Sequence, residues 1–594
     1  MLVRQLSWIL VIFIFIAVGE SKMTGLRGGC NGNDLRGLTA FKSGIRHDTS
    51  GRLEKWVGRD CCKWEGVTCE KKDKNTVKRV SELRLPGLIS GDDFIIVTSM
   101  EGTLSPSIIS LSALEVLDLS NLVNISGMIP RSIGSSLPNL RQLLLNGNEL
   151  TGFIPESISN LSKLEDLQLH ENHLSGTLPS SLGNLQYLRR LFLHSNKFSG
   201  QIPPSLMKSK NLLTLDLHGN NLKGRIPENI GMLKDLRKLD FSDNSLSGTL
   251  PSSLKNLTSL FEMYLEFNVL EGELITLPPS LGFLRLDGNR LTGRIPPFFQ
   301  NLVSLQKVSL ANNKFRGSLP STLGSLSQLY FLNISNNLIE GPLPNEISSL
   351  QNLQTLDLSF NPLNLSPIPE WIGELPALCS IFLAGCGIKG ELPEFLQSVQ
   401  SPIFELDLSS NNLTGALPNW LGDLTSLSLL NLSRNFLASN LPNSLAQLKD
   451  LGVLDLHSNR LTGPIDHIFT MQKSSLKYVD LSHNKLTGGL PDSFRKMGTL
   501  QSLDLSYNRL GSDFPASLGL VSALERLNMQ KNKFTGEIPN TVLKLGNLKE
   551  LNLSDNLLVG EIPKGKPLSR FPKSSYSGNR GLCGIPLAPC RPGV

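Results

Sequence analysis

The sequence predicts an α/β solenoid, in which one short turn of chain containing a strand is stacked many times along an axis. Three observations predict it. A buried-type polar residue recurs every 24 or 25 residues in most steps, two leucines separated by one residue come shortly before it, and Gly-x-Ile/Leu-Pro usually follows. A fixed period of this length is typical of a repeat architecture and argues against a compact globular enzyme.

The recurring position is an asparagine, replaced once by cysteine. We assign it to Asn124, Asn148, Asn172, Asn196, Asn220, Asn244, Asn268, Asn289, Asn313, Asn337, Asn361, Cys386, Asn411, Asn435, Asn459, Asn484, Asn508, Asn532 and Asn556. The 21-residue step from Asn268 to Asn289 is the short one.

Each repeat reads LxxLxLxxNxLxGxLP, as in residues 164–179, which is the pattern of a leucine-rich repeat. The alternating leucines predict a strand with one buried side, and the asparagine can satisfy backbone groups where the chain leaves that strand. The Gly-x-Ile/Leu-Pro segment predicts a tight bend followed by extended or 3₁₀ backbone. We therefore expect a right-handed superhelix of about 20 repeats with a parallel, concave β-sheet and disulfide-stapled caps.

The unbroken period predicts one solenoid with two caps. We assign residues 1–22 to a signal peptide, 23–79 to an amino-terminal Cys-rich cap, 80–566 to the repeats and 567–594 to a Cys-containing carboxy-terminal cap.

The first residues are typical of a secretory signal. Arg4 precedes an apolar run from Leu6 to Val18, and small residues follow around Gly19. The run is too short to favour a membrane-spanning helix, and no later segment has eighteen consecutive apolar residues. The sequence therefore predicts a secreted, extracellular protein without membrane insertion.

The cysteines cluster at the predicted caps. Six of the eight are Cys30, Cys61, Cys62, Cys69, Cys583 and Cys590, and in an oxidising compartment we expect them in disulfides that protect the open ends of the core. Cys379 and Cys386 belong to one strand and its turn, so a bond between them would fold the strand back. We expect both to be reduced.

Asn-x-Ser/Thr acceptors for glycosylation occur at Asn124, Asn160, Asn256, Asn333, Asn364, Asn412, Asn431 and Asn552. The repeat itself generates such triplets by chance. Asn160 and Asn256 are predicted to lie on the outer side, whereas Asn333, Asn431 and Asn552 should project from the concave sheet.

Three passages resemble plant extracellular leucine-rich repeat proteins. Residues 34–43 with the segment Asp60-Cys-Cys-Lys-Trp-Glu-Gly-Val-Thr-Cys69 look like their amino-terminal cap, the LxGxIP form of the repeat resembles the plant class, and residues 575–590 are similar to the carboxy-terminal cap of receptor-like proteins and receptor kinases. The resemblance implies pairing of Cys30 with Cys61, Cys62 with Cys69, and Cys583 with Cys590.

Receptor-like proteins continue into an acidic stretch and a membrane helix, and receptor kinases add a kinase domain. Because these segments do not follow here, the resemblance implies a soluble recognition protein of the apoplast or cell wall, held near the plasma membrane only through a partner. Polygalacturonase-inhibiting proteins share this soluble design with fewer repeats.

The ligand is expected on the concave sheet, where residues beside the buried leucines stack in columns. Many turns carry the filler Leu-Asp-Leu-Ser there, and departures concentrate between residues 166 and 288. Aromatic and charged side chains together suit a peptide, glycan or protein ligand. The predicted ligand-binding residues are Gln168, His170, Arg190, Phe192, His194, Asp216, His218, Asp240, Tyr264, Glu266, Phe267, Arg285 and Asp287.

A smaller departure lies at Tyr507, Gln530 and Lys531. Resemblance to plant receptor ectodomains implies that a co-receptor contacts this second patch.

His170, His194 and His218 share one phase on adjacent turns. Three neighbouring imidazoles that titrate near pH 6.5 and repel when charged predict a ligand affinity that changes between pH 5 and 7. A straight column cannot converge on one tetrahedral metal centre, so we expect neither a metal nor a cofactor.

The sequence favours no enzyme. Residues 560–566 imitate a phosphate loop, but Pro567 stands where Ser or Thr is required, and no HExxH or GxSxG motif occurs. A net charge of only +6 without a long basic run gives no support for nucleic-acid binding. Two hypotheses remain for function: recognition of a peptide, carbohydrate or protein ligand in plant signalling or defence through a membrane receptor kinase, or inhibition of a secreted hydrolase such as a polygalacturonase. A structural role in the wall is a third.

Overall fold

The computed structural model describes residues 30–70, 77–90, 95–469 and 475–590. The chain divides into two compact units, residues 1–269 and 270–594, and each is described by itself. The predicted signal peptide, residues 1–22, and the last four residues of the predicted carboxy-terminal cap lie outside the described residues.

The first unit begins with a cap held by buried charge and disulfides. The α-helix Gly32–Ser43 is capped by Asn31 and buries Asp34, Gly37, Leu38 and Phe41. Asp34 is fully buried, pairs with the Arg79 guanidinium at 2.8 Å and accepts from the Val80 N–H at 2.8 Å, which ties the helix to the first strand of the main sheet. The disulfides Cys30–Cys61 and Cys62–Cys69 confirm the pairing that the family resemblance implies.

The first unit has two sheets, one on each side of its leucine core. The parallel main sheet contains Val80–Arg84, Val116–Asp118, Gln142–Leu144, Asp166–Gln168, Arg190–Phe192, Thr214–Asp216, Lys238–Asp240 and Glu262–Tyr264, with Val67–Cys69 antiparallel to its first strand. The lateral sheet contains Ile45–Asp48, Met100–Thr103, Val123–Met128, Glu149–Gly152, His173–Thr177, Lys197–Gly200, Asn221–Gly224 and Ser245–Gly248. A separate antiparallel pair is formed by Leu88–Ser90 and Ile95–Val97.

Within the described part of the first unit, the outer side carries only short helical segments. They are the α-helix Ile133–Ser136 and the 3₁₀ segments Pro106–Ser110, Glu156–Asn160, Ser180–Asn184, Pro204–Lys208, Ile230–Met232 and Ser252–Asn256, while Leu53–Lys55 and Cys61–Lys63 belong to the cap. The prediction of a 3₁₀ or extended outer side is confirmed.

The second unit repeats the same turn. Its parallel main sheet contains Phe283–Arg285, Lys307–Ser309, Phe331–Asn333, Thr355–Asp357, Ser380–Phe382, Glu405–Asp407, Leu429–Asn431, Val453–Asp455, Tyr478–Asp480, Ser502–Asp504, Arg526–Asn528 and Glu550–Asn552. The lateral pairs are residues 271–273 of Val269–Glu273 with Arg290–Thr292, Arg316–Ser318 with Leu338–Glu340, Lys389–Gly390 with Asn412–Leu413, and Val559–Glu561 with Gly581–Cys583.

Its outer side has one α-helix, Trp371–Glu374, among the described residues, and otherwise 3₁₀ segments. These are Pro297–Asn301, Ser321–Ser325, Asn345–Ser349, Glu394–Ser398, Asn419–Asp423, Asn443–Gln447, Asp466–Phe469, Asp492–Lys496, Ala516–Leu520, Asn540–Lys544, Leu568–Arg570 and Lys573–Ser575. The disulfide Cys583–Cys590 closes the carboxy-terminal cap as implied.

The recurring asparagines hold neighbouring turns together from inside. The Asn172 amide donates to the carbonyls of Leu145, Leu169 and His170, and its oxygen accepts from the Leu150 N–H. Because an unpaired buried backbone group costs about 1–3 kcal/mol, these bonds explain why the position is asparagine in almost every turn. Cys386 occupies the same position, is buried, and is reduced like Cys379, as expected.

One assignment from the sequence is wrong. Asn124 is exposed on the lateral sheet, and the buried position of its turn is held by Leu122, three residues after Leu119 as Asn148 is three after Leu145.

No helix within residues 30–70, 77–90, 95–469 and 475–590 has both the length and the apolar character required to cross a bilayer.

Candidate ligand-binding face of the main sheet

Three columns of side chains cover the open face of the main sheet in the first unit. Column A is the first residue of each strand, column B the third, and column C lies two residues after column B. In the four turns from residue 166, column A is Asp166, Arg190, Thr214 and Lys238; column B is Gln168, Phe192, Asp216 and Asp240; and column C is His170, His194, His218 and Ser242. The leucines between columns A and B are fully buried, so the strand register places the predicted residues on the open face.

The three histidines of column C form one stack. The ring centroids of His170 and His194 lie 4.3 Å apart, and those of His194 and His218 also lie 4.3 Å apart with planes within 10° of parallel. Phe192 meets the His170 and His194 rings edge-on, at 5.8 and 6.4 Å. The imidazole faces are therefore occupied by one another, and the stack presents ring edges, rather than aromatic faces, to a ligand.

The stack does not titrate as one group, which corrects the expectation of three imidazoles with pKa values near 6.5. Burial lowers the pKa of His170, and burial with repulsion from His170 and His218 lowers the pKa of His194 to about 4. The Asp216 carboxylate, which accepts a hydrogen bond from the imidazole, raises the pKa of His218. Of the three imidazoles, His218 therefore titrates at the highest pH, above 6.5, and it stays protonated in the mildly acidic range.

A charged cluster lies beside the end of the stack. His218 Nδ1 is 2.7 Å from Asp216 Oδ1, and Lys238 Nζ is 3.0 Å from Asp216 Oδ2 and 3.5 Å from Asp240 Oδ2. Burial alone would raise the pKa of Asp216, whose side chain is only 2% exposed, but the hydrogen bonds from His218 and Lys238 lower it. His218 and Lys238 together therefore keep the Asp216 carboxylate charged.

Arg190 and Gln168 are held by a residue that the sequence did not single out. Asp166, with a side chain only 3% exposed, lies 2.6 Å from Arg190 Nη2 and accepts from Gln168 Nε2 at 3.1 Å. Asp166 lies just before a buried leucine, and nothing in the sequence distinguished this position as part of a binding site.

The last predicted residues fall on both sides of the unit boundary. In the first unit, Lys238 Nζ lies 5.7 Å from the Tyr264 ring centroid, Glu266 is buried, and Phe267 is half exposed with a positive φ. Arg285 and Asp287 belong to the second unit, where Arg285 Nε is 3.7 Å from Asp287 Oδ2.

A second Asp-x-His cluster lies in the second unit and was not predicted. His457 Nδ1 is 2.7 Å from Asp455 Oδ1 and 3.9 Å from Asp480 Oδ2, and Arg434 Nε donates to His457 Nε2 at 3.2 Å. The tetrapeptide Leu-Asp-Leu-His, which occurs at 215–218 and again at 454–457, is the sequence signal that marks both clusters.

Comparison with known proteins places this geometry in a family. Residues 94–341 match a model described as a leucine-rich repeat region, residues 31–70 a leucine-rich repeat N-terminal domain, and residues 453–510 and 474–534 a leucine-rich repeat. The ectodomain of the Arabidopsis receptor kinase HAESA, solved with an N-terminally extended IDA peptide hormone, is 32% identical with a TM-score of 0.67, and the alignment covers 94% of this chain and 99% of that one. The chain belongs to the family of plant leucine-rich repeat receptor ectodomains.

Other members of this plant receptor family are similar to the chain. The PEPR1–AtPEP1 structure is 30% identical with a TM-score of 0.70, covering 89% of this chain and 76% of that one. Phytosulfokine receptor 1 of Arabidopsis thaliana is 33% identical over 156 residues, and receptor-like protein EIX2 of Solanum lycopersicum is 33% identical over 129. These matches span 14% and 12% of the two curated relatives. The family is one of extracellular repeat domains, and no enzyme family is indicated.

The residues predicted for a co-receptor form a separate ridge in the second unit of this receptor-type ectodomain. The Tyr507 ring stacks on His483 with centroids 4.1 Å apart, and Lys531 Nζ lies 4.7 Å from the Tyr507 centroid. Gln530 Oε1 accepts from Asn552 Nδ2 at 2.9 Å.

The glycosylation acceptors fall into two groups. Asn124, Asn160, Asn256, Asn364 and Asn412 are exposed, and Asn333, Asn431 and Asn552 are half-buried in column B of the second unit. Asn431 Nδ2 donates to Asp407 Oδ2 at 3.1 Å and Asn552 Nδ2 to Gln530 Oε1. A glycan on Asn431 or Asn552 would therefore be attached to a side-chain nitrogen that already donates a hydrogen bond to a neighbouring residue.

His194, Asp216 and His218 place one ligand-type atom each within 4.8 Å of one another. The two imidazole planes are nearly parallel, so a metal between them could not lie in both ring planes, and the Lys238 ammonium already neutralises Asp216. The expectation of no metal stays a prediction, now supported by ring geometry.

Proposed function

We propose that this chain recognises a peptide ligand on the open face of the first unit's main sheet and acts through a membrane receptor kinase in plant signalling or defence. The observation that carries the proposal is the run of successive turns from Asp166 to Glu266, in which aromatic and charged side chains replace the Leu-Asp-Leu-Ser filler of other turns. A binding face needs such concentrated departures, whereas the fold does not.

The geometry of the run supports binding rather than tolerated surface variation. The side chains are held by one another, through the histidine stack and the Asp166–Arg190 and Asp216–Lys238 pairs. A surface whose rotamers are already restricted loses less conformational entropy when a ligand binds.

Related structures favour a peptide over a carbohydrate. They are complexes of PEPR1 with AtPEP1, of the plant peptide hormone receptor RGFR1 with RGF2, and of HAESA with the peptide hormone IDA, in one case together with the co-receptor SERK1. By the same likeness we propose the ridge of Tyr507, Gln530 and Lys531 as a co-receptor contact. We further propose residues 1–22 as a signal peptide, 23–79 and 567–594 as caps, 80–566 as the repeats, and the apoplast as the location.

Capture of partners from plant extracellular fluid at mildly acidic pH tests the proposal. The full chain should retain a peptide and a receptor kinase, and a double Ala variant of Phe192 and Tyr264 should lose the peptide. Tyr187→Ala, which removes an aromatic side chain that is 62% exposed and outside the three columns, is the matched control. Capture of a hydrolase that loses activity on mixing would favour the inhibitor hypothesis and overturn the proposal.

A further inference from the structure

The two Asp-x-His clusters occupy matching positions in the strand register. The first cluster is Asp216, His218, Lys238 and Asp240, and the second cluster is Asp455, His457, Tyr478 and Asp480. Asp216 pairs in register with Asp240 as Asp455 pairs with Asp480, and the residue two before each second aspartate is Lys238 in one and Tyr478 in the other. Lys238 and Tyr478 therefore occupy equivalent strand positions, each two residues before the second aspartate of its cluster.

The first cluster shows how an ammonium group fits this arrangement. Lys238 Nζ bridges Asp216 Oδ2 at 3.0 Å and Asp240 Oδ2 at 3.5 Å, while His218 holds the other oxygen of Asp216. The two carboxylates are 2% and 10% exposed, so the lysine covers them as well as neutralising them.

The second cluster has no ammonium group at the equivalent position. Among the described residues, Asp455 and Asp480 form an ion pair with His457 but with no lysine or arginine, and their side chains are 15% and 14% exposed. The Tyr478 hydroxyl donates to Asp480 Oδ2 at 3.3 Å. Burial, followed by repulsion from Asp504 and Asp455, raises the pKa of Asp480 despite its bonds from Ser482.

The second cluster is open to a ligand on the side of Tyr478 and Asp480, whereas Asp455 and His457 do not line the cleft. Tyr478 and Asp480 line a cleft of about 370 Å³ on the face of the main sheet, whose other walls include Asp504, Arg526 and Asn528. Arg526 is directed to Glu550, 3.2 Å from its Nε, and makes no ion pair with Asp480.

The hydrogen bonds of His457 argue against a metal ion as the missing cation. Arg434 can only donate, so His457 Nε2 accepts and the imidazole proton lies on Nδ1, directed at Asp455. A metal between Asp455 and Asp480 would require a free lone pair on Nδ1, the opposite tautomer.

We propose that Asp455, His457 and Asp480 bind a primary ammonium group of the ligand, from a lysine side chain or a peptide amino terminus, in the place that Lys238 fills in the first cluster. The proposal rests on peptide recognition by this chain and names one chemical group that the peptide carries. The Tyr478 hydroxyl reaches only one of the two carboxylates and so does not bridge them as Lys238 Nζ does in the first cluster.

Binding of small probes to the full chain, followed by isothermal titration at pH 6, tests the proposal. Nα-acetyl-lysine amide should bind at least tenfold more tightly than Nα-acetyl-norleucine amide, which has no ammonium group. Glycylglycine amide, which offers only an amino-terminal ammonium, distinguishes the two sources. A lysine probe that binds no better than the norleucine probe would overturn the proposal.

Reciprocal variants locate the site. Tyr478→Lys should supply the ammonium internally and abolish lysine-probe binding, as should Asp480→Asn. Lys238→Tyr should open the first cluster and raise the number of bound probes from one to two, a gain that misfolding cannot produce. Asp492→Asn removes one exposed carboxylate outside the columns and should leave binding unchanged. Probe binding that survives Tyr478→Lys would refute the assignment.

Zinc chloride alone serves as the competing probe. Stoichiometric zinc binding that is lost in Asp480→Asn, without lysine-probe binding, would replace the ammonium with a metal and overturn the proposal. Failure of the lysine probe while the full chain still captures a peptide and a receptor kinase would defeat only this inference, and failure of both would defeat the proposed function as well.

Discussion

The two Asp-x-His clusters differ at the strand position that Lys238 fills in one and Tyr478 in the other, and that difference decides whether an ammonium group bridges their carboxylates. Both hold an imidazole nitrogen 2.7 Å from a carboxylate, on matching turns of the two units. Lys238 completes the first cluster, and Tyr478 leaves the second without an ammonium group. In a repeat fold, the residue that defines a site therefore lies one turn away in space and about 24 residues away in sequence, where local inspection does not find it.

Replacing Lys238 should produce the largest difference between the clusters. Lys238→Met leaves the Asp216 carboxylate buried with only His218 to balance it, and we expect a loss of about 2 kcal/mol in the stability of the first unit. Tyr478→Met, at the equivalent place, should cost about 0.5 kcal/mol because no buried charge loses its partner. Urea unfolding at pH 7 measures both, and equal losses would show that the clusters are not electrostatically distinct.

His194 should make the first unit more sensitive to acid than the second. Its folded-state pKa is about 4 and its unfolded value is near 6.5, so stability is lost as the pH falls through that window, because only the unfolded chain takes up the proton. His194→Gln should retain about 1 kcal/mol more stability than the wild type at pH 4, after allowance for solvent screening. Thermal unfolding at pH 7 and pH 4 measures the change.

The second unit offers a matched control for that effect. Ser433 stands one turn before His457, as His194 stands one turn before His218. Ser433→His should build a stacked neighbour and introduce acid sensitivity there. An unchanged acid transition would mean that burial rather than stacking depresses the pKa of His194.

His218 and His457 should contribute in the opposite direction and to similar extents. A neighbouring carboxylate raises the pKa of each, so their stabilisation is fully present below pH 6.5 and is lost as the pH rises through the folded-state value. Asn substitution at either position should remove roughly 0.5 kcal/mol of the decline in stability between pH 6 and pH 8.5. If only one of the two substitutions reduces the decline in stability between pH 6 and pH 8.5, the two clusters also differ in how their histidines contribute to stability.

The smallest effect is expected at the Tyr478 hydroxyl. Tyr478→Phe removes its bond to Asp480, and since that bond is long at 3.3 Å we expect a cost of about 0.3 kcal/mol. A loss above about 1 kcal/mol in urea unfolding would make the hydroxyl an effective substitute for the lysine ammonium, and the second cluster would then be closed.

The fold could be predicted from the period, because each turn can bury its leucines only against the next turn. Phe192 and His170 could be placed on the open face because they lie beside those buried leucines in the strand pattern. The period failed at Asn124, because the step from its strand, Val116–Asp118, to the next strand is longer than the steps that follow, and Leu122 takes the buried position.

Side-chain partners in the candidate site could not be predicted from spacing. Asp166 pairs with Arg190 across turns, and the His170, His194 and His218 rings stack on one another, because rotamers and burial rather than register choose these contacts. The repeated Leu-Asp-Leu-His tetrapeptide does predict where the imidazole–carboxylate pairs lie, although it carries no information on the residue at Lys238 or Tyr478.

The single thiol among the recurring asparagines has a mechanical consequence. Asn411 joins three carbonyls and one N–H, whereas Cys386 offers only long contacts from its sulfur to the Leu358 and Ala384 carbonyls, at 3.3 and 3.5 Å. When the chain is pulled from its ends, the second unit should therefore unfold first at this turn. The thiol of Cys386, in place of an asparagine amide, thus determines where unfolding under force begins.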